Sequence, residues 1–339
     1  MTITTSVVPL ARYRFTAVMR AGVRLPGYAG SLLRGQFGAS LRQVACMTRQ
    51  PTCAGCPLLN TCPYTRIFEA PPPPAHALQK FSNIPNAYVM EPALTTPDLA
   101  PADLCAGDLL AFHMVLAGEA IAQLPLVVFA WQRALAQGLT RDRAAADLQT
   151  VEWLDGDGTA HRIWEANAPM LLEHPATVSV PQLGCGPSSH LPDLDAADRL
   201  PLSALTLHIH TPLRLQHQGH PLRPNNLTPR ALVAALARRM ALVMEFHAGQ
   251  TEWGAQVPPL VQMAETLHDE RDLHWHDWTR YSSRQQQEMT LGGVIGRWAL
   301  RGSPQTLAAL WPWLWLGQWL HVGKNATMGM GGYTLHATP

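Results

Sequence analysis

Apolar and polar residues alternate in several short stretches of the first half of the chain, and each stretch predicts a strand with one buried face. These stretches are "RYRFTAVMR" (12–20), "LLAFHMVLAG" (109–118) and "TVEWLDG" (150–156). Between them, apolar residues recur every three or four positions in "SLLRGQFGASLRQVAC" (31–46) and "LPLVVFAWQRALAQG" (124–138), which predicts two helices. The first half therefore predicts strands interleaved with two helices.

The second half repeats this order. The alternating "LTLHIHTPLRLQ" predicts a strand, and a helix should follow from Pro229 to Ala248, with Thr228 as its N-cap and Gly249 just past its end. A strand at "LGGVIGRWALRG", a tryptophan-rich helix at "LAALWPWLWLGQWL" and a last strand at "YTLHA" complete the pattern. Each half fits a β-α-β-β-α-β unit, so we predict an α+β protein of two tandem ferredoxin-like (RRM-like) domains.

A polar, proline-rich passage, "PQLGCGPSSHLPDLDAADRLP", separates the two patterns. We place the domain boundary there, which gives an N-terminal domain of residues 1–199 and a C-terminal domain of residues 200–339. The N-terminus predicts no signal peptide, and the tryptophan-rich stretch is shorter than the roughly 20 residues of a membrane span. We expect a cytoplasmic protein without a membrane partner.

Charge is nearly balanced, because 25 basic and 24 acidic residues leave a formal net charge of +1. No overall basic field marks the chain as a nucleic-acid binder, so such a function would depend on a local patch. Lys80 and Lys324 are the only lysines, and arginine supplies all the other basic side chains. Arginine suits bidentate contacts to phosphate, although a GC-rich genome explains the same bias.

Four of the six cysteines lie in "CMTRQPTCAGCPLLNTC", at Cys46, Cys53, Cys56 and Cys62. Four thiols this close in a reducing compartment indicate a metal site, and tetrahedral structural zinc is the default metal for it. A [4Fe–4S] cluster is the main alternative, and unliganded cysteines are another. We predict a small cysteine-rich, metal-binding insertion in the first domain.

Near the C-terminus, "HVGKNATMGMGGYTL" (321–335) contains four glycines, one lysine and no acid. Glycine lets backbone N–H groups converge on an anion, so the segment is either a phosphate-binding loop or a turn between a helix and a strand. Because Asn325 follows Lys324, the segment lacks the "GK[ST]" of nucleotide-binding P-loops.

Several passages together resemble the CRISPR pre-crRNA processing endoribonucleases of the repeat-associated mysterious protein superfamily. They are "WTRYSSRQQQEMTLGGVIGRWAL", "LGQWLHVGKNATMGMGGYTL", "GSLLRGQFGASLRQVAC", "CPYTRIFEA", "NAYVMEPAL" and "LTLHIHTPLRL". The resemblance implies that both domains bind CRISPR repeat RNA and that the glycine-rich segment lies against the RNA backbone. The expected RNA contacts are Gly323, Lys324, Asn325, Thr327, Gly329, Gly331, Gly332, Arg34, Arg280, Arg284 and Arg297.

The resemblance also implies cleavage without a catalytic metal: the RNA 2′-OH attacks the adjacent phosphorus and leaves 2′,3′-cyclic phosphate and 5′-OH ends. Such a reaction needs a general base, a general acid and a positive charge. Related enzymes commonly place a histidine in or beside the first helix, but no histidine lies between Tyr28 and Cys46 here. We therefore assign the catalytic roles to His321, Tyr28 and Lys324, with His208 or His210 as the next candidates.

Two functions follow from this interpretation. The first is an endoribonuclease that processes pre-crRNA into crRNA. The second is a non-catalytic crRNA-binding subunit of a CRISPR effector complex, which the missing helix histidine favours. The expected partners are repeat RNA or crRNA and, in the second case, other subunits of the complex.

Overall fold

The computed structural model describes residues 7–71, 84–93, 101–181, 202–282 and 287–338. The chain forms an α+β protein with two domains, each built on an antiparallel sheet. This confirms the α+β class and the two domains of the prediction. The expected boundary between residues 199 and 200 lies outside the described residues, so its position stays a prediction.

The N-terminal domain has a five-stranded sheet in the order β4-β6-β2-β7-β8, with every neighbouring pair antiparallel. Its elements are β1 (Val7–Val8), β2 (Leu10–Met19), β3 (Val23–Leu25), α1 (Gly30–Ala45), α2 (Pro63–Ile67), β4 (Tyr88–Pro92), β5 (Ala102–Leu104), β6 (Leu109–Ala117), α3 (Leu124–Gln137), β7 (Ala146–Leu154), β8 (Ala160–Glu165) and β9 (Val178–Ser179). Alternation along β2 sends Tyr13 and Phe15 into the core, where they join Phe37 of α1 and Trp131 of α3. The polar residues between them point to the opposite, outer face of the sheet.

The C-terminal domain has a four-stranded antiparallel sheet in the order β13-β14-β10-β15. Its elements are β10 (Ala204–Leu213), β11 (Gln216–His217), β12 (His220–Pro221), α4 (Pro229–Ala248), α5 (Val257–Ala264), β13 (His268–Ser282), β14 (Gln287–Arg301), α6 (Pro304–Leu320) and β15 (Tyr333–Thr338). On β10, Leu205 and Leu207 are buried against α4 and α6, whereas His208 and His210 lie on the outer face. The outer faces of both sheets are therefore the polar ones.

Short 3₁₀ turns complete the chain at Gly118–Gln123, Pro224–Asn226, Thr251–Gln256 and Ala326–Met328.

The predicted start and end of α4 are confirmed. The Thr228 hydroxyl accepts a hydrogen bond from the Ala231 N–H, and Gly249 adopts the left-handed conformation with φ of 69°. The tryptophan-rich stretch is the buried helix α6, as expected. No helix of the described ranges is long and apolar enough to cross a membrane.

Candidate active site at the domain interface

The glycine-rich segment (321–332) joins α6 to β15 and packs against the N-terminal domain. A Cβ atom at Gly329, where φ is 86°, would come closer than 3.0 Å to the Met90 carbonyl of β4. A Cβ atom at Gly30, at the start of α1, would collide in the same way with the Met328 carbonyl. Glycine is required at both positions because two backbones from different domains touch there.

Most of this segment is buried, which corrects part of the phosphate-loop prediction. The N–H groups of Gly331 and Gly332 donate to the Pro212 carbonyl and the Thr211 hydroxyl, at 3.1 and 2.7 Å, and that of Gly329 donates to the Ala326 carbonyl. These three glycines shape the segment, and the donors that a phosphate would need are already engaged. A second group is more accessible: Lys324 is exposed, and Gly323, Asn325 and Thr327 are half-buried.

Tyr28 lies beneath the same segment and is only 3% exposed. Its hydroxyl donates to the Met328 carbonyl at 2.7 Å, and its ring lies 4.8 Å from that of Trp278. Burial raises the pKa of the Tyr28 phenol well above its usual range. In this position Tyr28 supports the glycine-rich segment, and the catalytic assistance expected from the sequence stays a prediction.

His321 follows the last residue of α6 and is 2% exposed. Its Nδ1 lies 2.8 Å from the Gly329 carbonyl, and its Nε2 lies 3.0 Å from Oε1 of Glu91 on β4. Both neighbours are acceptors, so both ring nitrogens act as donors only in the imidazolium form. The ring thus bridges the glycine-rich segment and β4 across the domain interface.

Glu91 also accepts a hydrogen bond from Nη2 of Arg12 at 2.9 Å. Burial alone would raise the pKa of the Glu91 carboxyl, but the Arg12 charge and the hydrogen bond from His321 outweigh it and lower the pKa to about 2. Arg12 further donates to the Gln318 carbonyl in the last turn of α6, at 2.6 Å, and stacks over the Trp319 ring. The cluster Arg12–Glu91–His321 therefore ties β2 and β4 to the end of α6.

A cavity of about 330 Å³ opens beside this cluster, between the outer faces of the two sheets. It contains two further histidines, His113 of β6 and His210 of β10. The remaining lining residues are Arg12, Glu91, Pro92, Ala93, Leu154, Thr211, Gln318, His321, Gly329, Tyr333 and Thr334. Desolvation lowers the pKa of both histidines, and that of His210, which also faces the His321 charge, falls to about 4. An arginine, an ionised carboxylate and three imidazoles thus share a polar cavity.

The sequence did not single out Arg12, Glu91 or His113, because they lie on three strands of the N-terminal domain and meet only in the folded sheet. The register places Glu91 opposite His113, and His113 opposite Arg14. The one local signal was Glu91 itself, an acid inside the apolar run "AYVMEPA". An acid in a buried strand needs a partner.

Of the predicted arginine contacts, the two whose side chains the structure describes, Arg34 and Arg297, do not line this cavity. Arg34 of α1 is half-buried, with its guanidinium 4.5 Å from the centre of the Phe68 ring. Arg297 is exposed on β14, opposite His208. Arg284 and the side chain of Arg280 lie outside the described residues. The RNA contacts expected for these four arginines stay predictions.

Cys46, Cys53, Cys56 and Cys62 line one small cavity of about 20 Å³ between the end of α1 and the start of α2. Four thiols around one cavity are a donor set that suits zinc. Within the described ranges, however, no three potential ligands are gathered in a geometry that could hold a metal ion. The zinc site and the iron–sulfur alternative both stay predictions.

Two family models match the chain in consecutive parts. Residues 8–176 match the N-terminal domain model AF_1859_N. Residues 207–333 match the model of the CRISPR-associated endoribonuclease Cas6. No curated protein sequence is significantly similar to the chain.

Solved structures of Cas6 proteins share the fold along nearly the whole chain. A Cas6 product complex gives a TM-score of 0.55 at 15% identity and covers 96% of this chain and 100% of that chain. Cas6 from Thermus thermophilus gives 0.51 at 14% identity, with 97% and 99% covered. A partial Cas6-RT-Cas1–Cas2 complex gives 0.52 at 14% identity, where the match covers 97% of this chain and 46% of that one. The C-terminal part of the chain, residues 207–333, therefore belongs to the family of the CRISPR-associated endoribonuclease Cas6, and nearly the whole chain shares the fold of solved Cas6 proteins.

Proposed function

We propose that this protein binds CRISPR repeat RNA and cleaves it to mature crRNA. The observation that carries the proposal is the polar cavity between the two sheets, where Arg12, His113 and His210 lie beside the buried Glu91–His321 pair. Family membership supplies the reaction class, and the cavity supplies groups that can perform it. Each sheet contains four strands in the order that a β-α-β-β-α-β run gives: β4-β6-β2-β7 in the N-terminal domain, with β8 added at the edge, and β13-β14-β10-β15 in the C-terminal domain. We therefore describe both domains as ferredoxin-like.

The proposed reaction is a transesterification within the RNA. The 2′-oxygen attacks the adjacent phosphorus and loses its proton to a base, while the bond from phosphorus to the 5′-oxygen breaks and that oxygen takes a proton from an acid. The products carry a 2′,3′-cyclic phosphate and a 5′-OH. The protein needs to supply proton transfer and positive charge, and Arg12 stands in the cavity to stabilise charge on the phosphorane.

His321 and Tyr28 hold the glycine-rich segment in place through the Gly329 and Met328 carbonyls. We propose that they position this segment beside Arg12. Lys324, exposed at the corner of the segment, contacts an RNA phosphate outside the cavity. These roles refine the three catalytic assignments made from the sequence.

The test is incubation of the protein with a labelled repeat RNA from its own CRISPR array, in EDTA. We expect one cut per repeat, and no cut when the nucleotide at the cleavage site carries 2′-hydrogen in place of 2′-OH. Tight binding without any cleavage would instead support the non-catalytic subunit, which the absence of a histidine from α1 favours.

A further inference from the structure

We infer that His113 and His210 are the proton-transfer pair of this cleavage, and that they act in place of a histidine in α1. This inference rests on the proposed function and names residues for it. It starts from the cavity, in which two histidines come from the facing sheets: His113 from the sheet of the N-terminal domain and His210 from that of the C-terminal domain.

The other titratable side chains of the cavity are already committed. Arg12, Glu91 and His321 bind one another, and the Tyr333 hydroxyl donates to the Leu314 carbonyl at 2.6 Å. Among the described residues that line the cavity, His113 and His210 are the two titratable groups that remain. Imidazole is the side chain best suited to exchange protons near neutral pH.

The backbone makes room for His210. A Cβ atom at Gly332 would lie 2.7 Å from Cε1 of His321 and 3.1 Å from Nε2 of His210, so the two rings flank this glycine closely. Any other residue at position 332 would push one ring aside. The Gly332 carbonyl also accepts the N–H of His210 at 3.1 Å, which fixes the strand that carries the ring.

The charged neighbours of the two histidines differ, and this difference assigns the roles. Desolvation, together with the neighbouring His321 ring, lowers the pKa of His210, which keeps it neutral and able to accept a proton. Desolvation lowers the pKa of His113, but this ring lies opposite Glu91, whose carboxylate counteracts the shift and stabilises the protonated ring; Arg12 and Arg14 add to the lowering, and Glu152 opposes it. Two titratable groups in contrasting environments are the usual basis for separate acid and base roles.

We therefore assign the base to His210, which takes the proton of the 2′-OH, and the acid to His113, which donates a proton to the departing 5′-oxygen. The phosphodiester that enters the cavity brings a negative charge, and this charge favours protonation of His113 further. One proton leaves the RNA and one is returned, so the pair ends with His210 protonated and His113 neutral.

The experiment compares His210→Ala and His113→Ala with the matched control His208→Ala in single-turnover cleavage of the repeat RNA. His208 lies two residues before His210 on the same face of β10, but it packs edge-on against His336 at 4.8 Å and does not line the cavity. We expect a loss of about 10²–10⁴-fold for each cavity variant and less than about threefold for the control. Repeat binding should stay within a few-fold of wild type in all three variants. His210→Gln and His113→Gln provide the same test if an alanine variant fails to fold.

Two readouts separate proton transfer from a structural role. Imidazole added to the buffer should restore part of the activity of both alanine variants. A substrate with sulfur in place of the bridging 5′-oxygen needs no acid, so it should restore cleavage by His113→Ala and leave His210→Ala slow. Wild-type rates in either cavity variant, or an equal loss in His208→Ala, would overturn the inference while the proposed function stands. If the wild-type protein binds the repeat and never cuts it, both fail together.

Discussion

Replacing Glu91 by Gln tests whether the Arg12–Glu91–His321 cluster holds the two domains together. The variant keeps the shape of the side chain and an acceptor oxygen, but it removes the negative charge that lies between the Arg12 guanidinium and the His321 ring. Glu91 has only 15% of its side chain exposed, so little solvent is available to replace the lost charge. We expect a large loss of stability.

The size of the loss follows from the pKa of Glu91. Burial acts to raise this pKa, but Arg12 and His321 overcome it and lower the pKa from 4.5 to about 2. At about 1.4 kcal/mol per unit, the folded protein favours the carboxylate by about 3 kcal/mol. This agrees with the roughly 3–5 kcal/mol expected when one partner of a buried ion pair is removed.

The sign of the pH dependence is also set. A lowered carboxyl pKa contributes its full stabilisation above the unfolded value of 4.5, and the contribution is lost as the pH falls through about 2. Denaturant unfolding at pH 7 should therefore show Glu91→Gln to be less stable by about 3 kcal/mol, and at pH 3 the difference should shrink to roughly 40% of that. Glu152→Gln is the control, because Glu152 pairs with Arg14 alone, within one domain, and its loss should be smaller. A loss below about 1 kcal/mol at pH 7, or a difference that does not change with pH, would refute the reasoning.

Three further predictions concern other parts of the molecule. Lys324→Ala should weaken repeat binding and reduce the slope of log K against log salt by about 0.7, as loss of one phosphate contact does on single-stranded RNA. The control Arg133→Ala, on the exposed side of α3, should leave this slope unchanged. An unaltered slope for Lys324→Ala would count against Lys324 as an RNA contact. Gly329→Ala should lower the free energy of unfolding by more than about 1 kcal/mol relative to Gly219→Ala. Both positions have φ above 80°, but only at Gly329 would the new Cβ atom collide with the Met90 carbonyl and the Tyr28 hydroxyl. Equal losses in thermal unfolding would contradict this packing. Metal analysis should find about one zinc per chain, or else iron together with a brown chromophore. The double variant Cys53→Ser with Cys56→Ser should lose the metal, whereas the control Cys105→Ser, at an exposed cysteine outside the cluster, should keep it. Purified protein with neither metal would contradict this prediction.

Most of the secondary structure could be predicted from local sequence patterns. The N-cap and C-terminal glycine of α4 and the buried helix α6 depend on residues that are close in sequence, so propensity and periodicity were sufficient to predict them. The segment "LHWHDWTRYSSRQ" is compatible with a strand or a loop by its pattern alone, and most of it lies in the long strand β13. Its alternation is obscured by polar and aromatic residues on both faces, because this strand lies at the edge of the sheet.

The candidate site was less accessible to sequence reasoning, because it forms between domains. Glu91 and His321 are 230 positions apart, and nothing near either residue indicates the other. The glycines illustrate the same limit. A glycine that frees the backbone for a phosphate and one that lets two backbones touch look alike in sequence, and Gly329 proved to be of the second kind.

The chemistry of the cleaved ends tests the central claim most directly. Repeat RNA cut by the wild-type protein in EDTA should give two fragments, and mass spectrometry should find a 2′,3′-cyclic phosphate on the upstream fragment and a 5′-OH on the downstream one. These ends are what attack by the 2′-oxygen leaves when the protein provides only proton transfer and positive charge. A 3′-OH and a 5′-phosphate, or cleavage that stops in EDTA, would contradict the account.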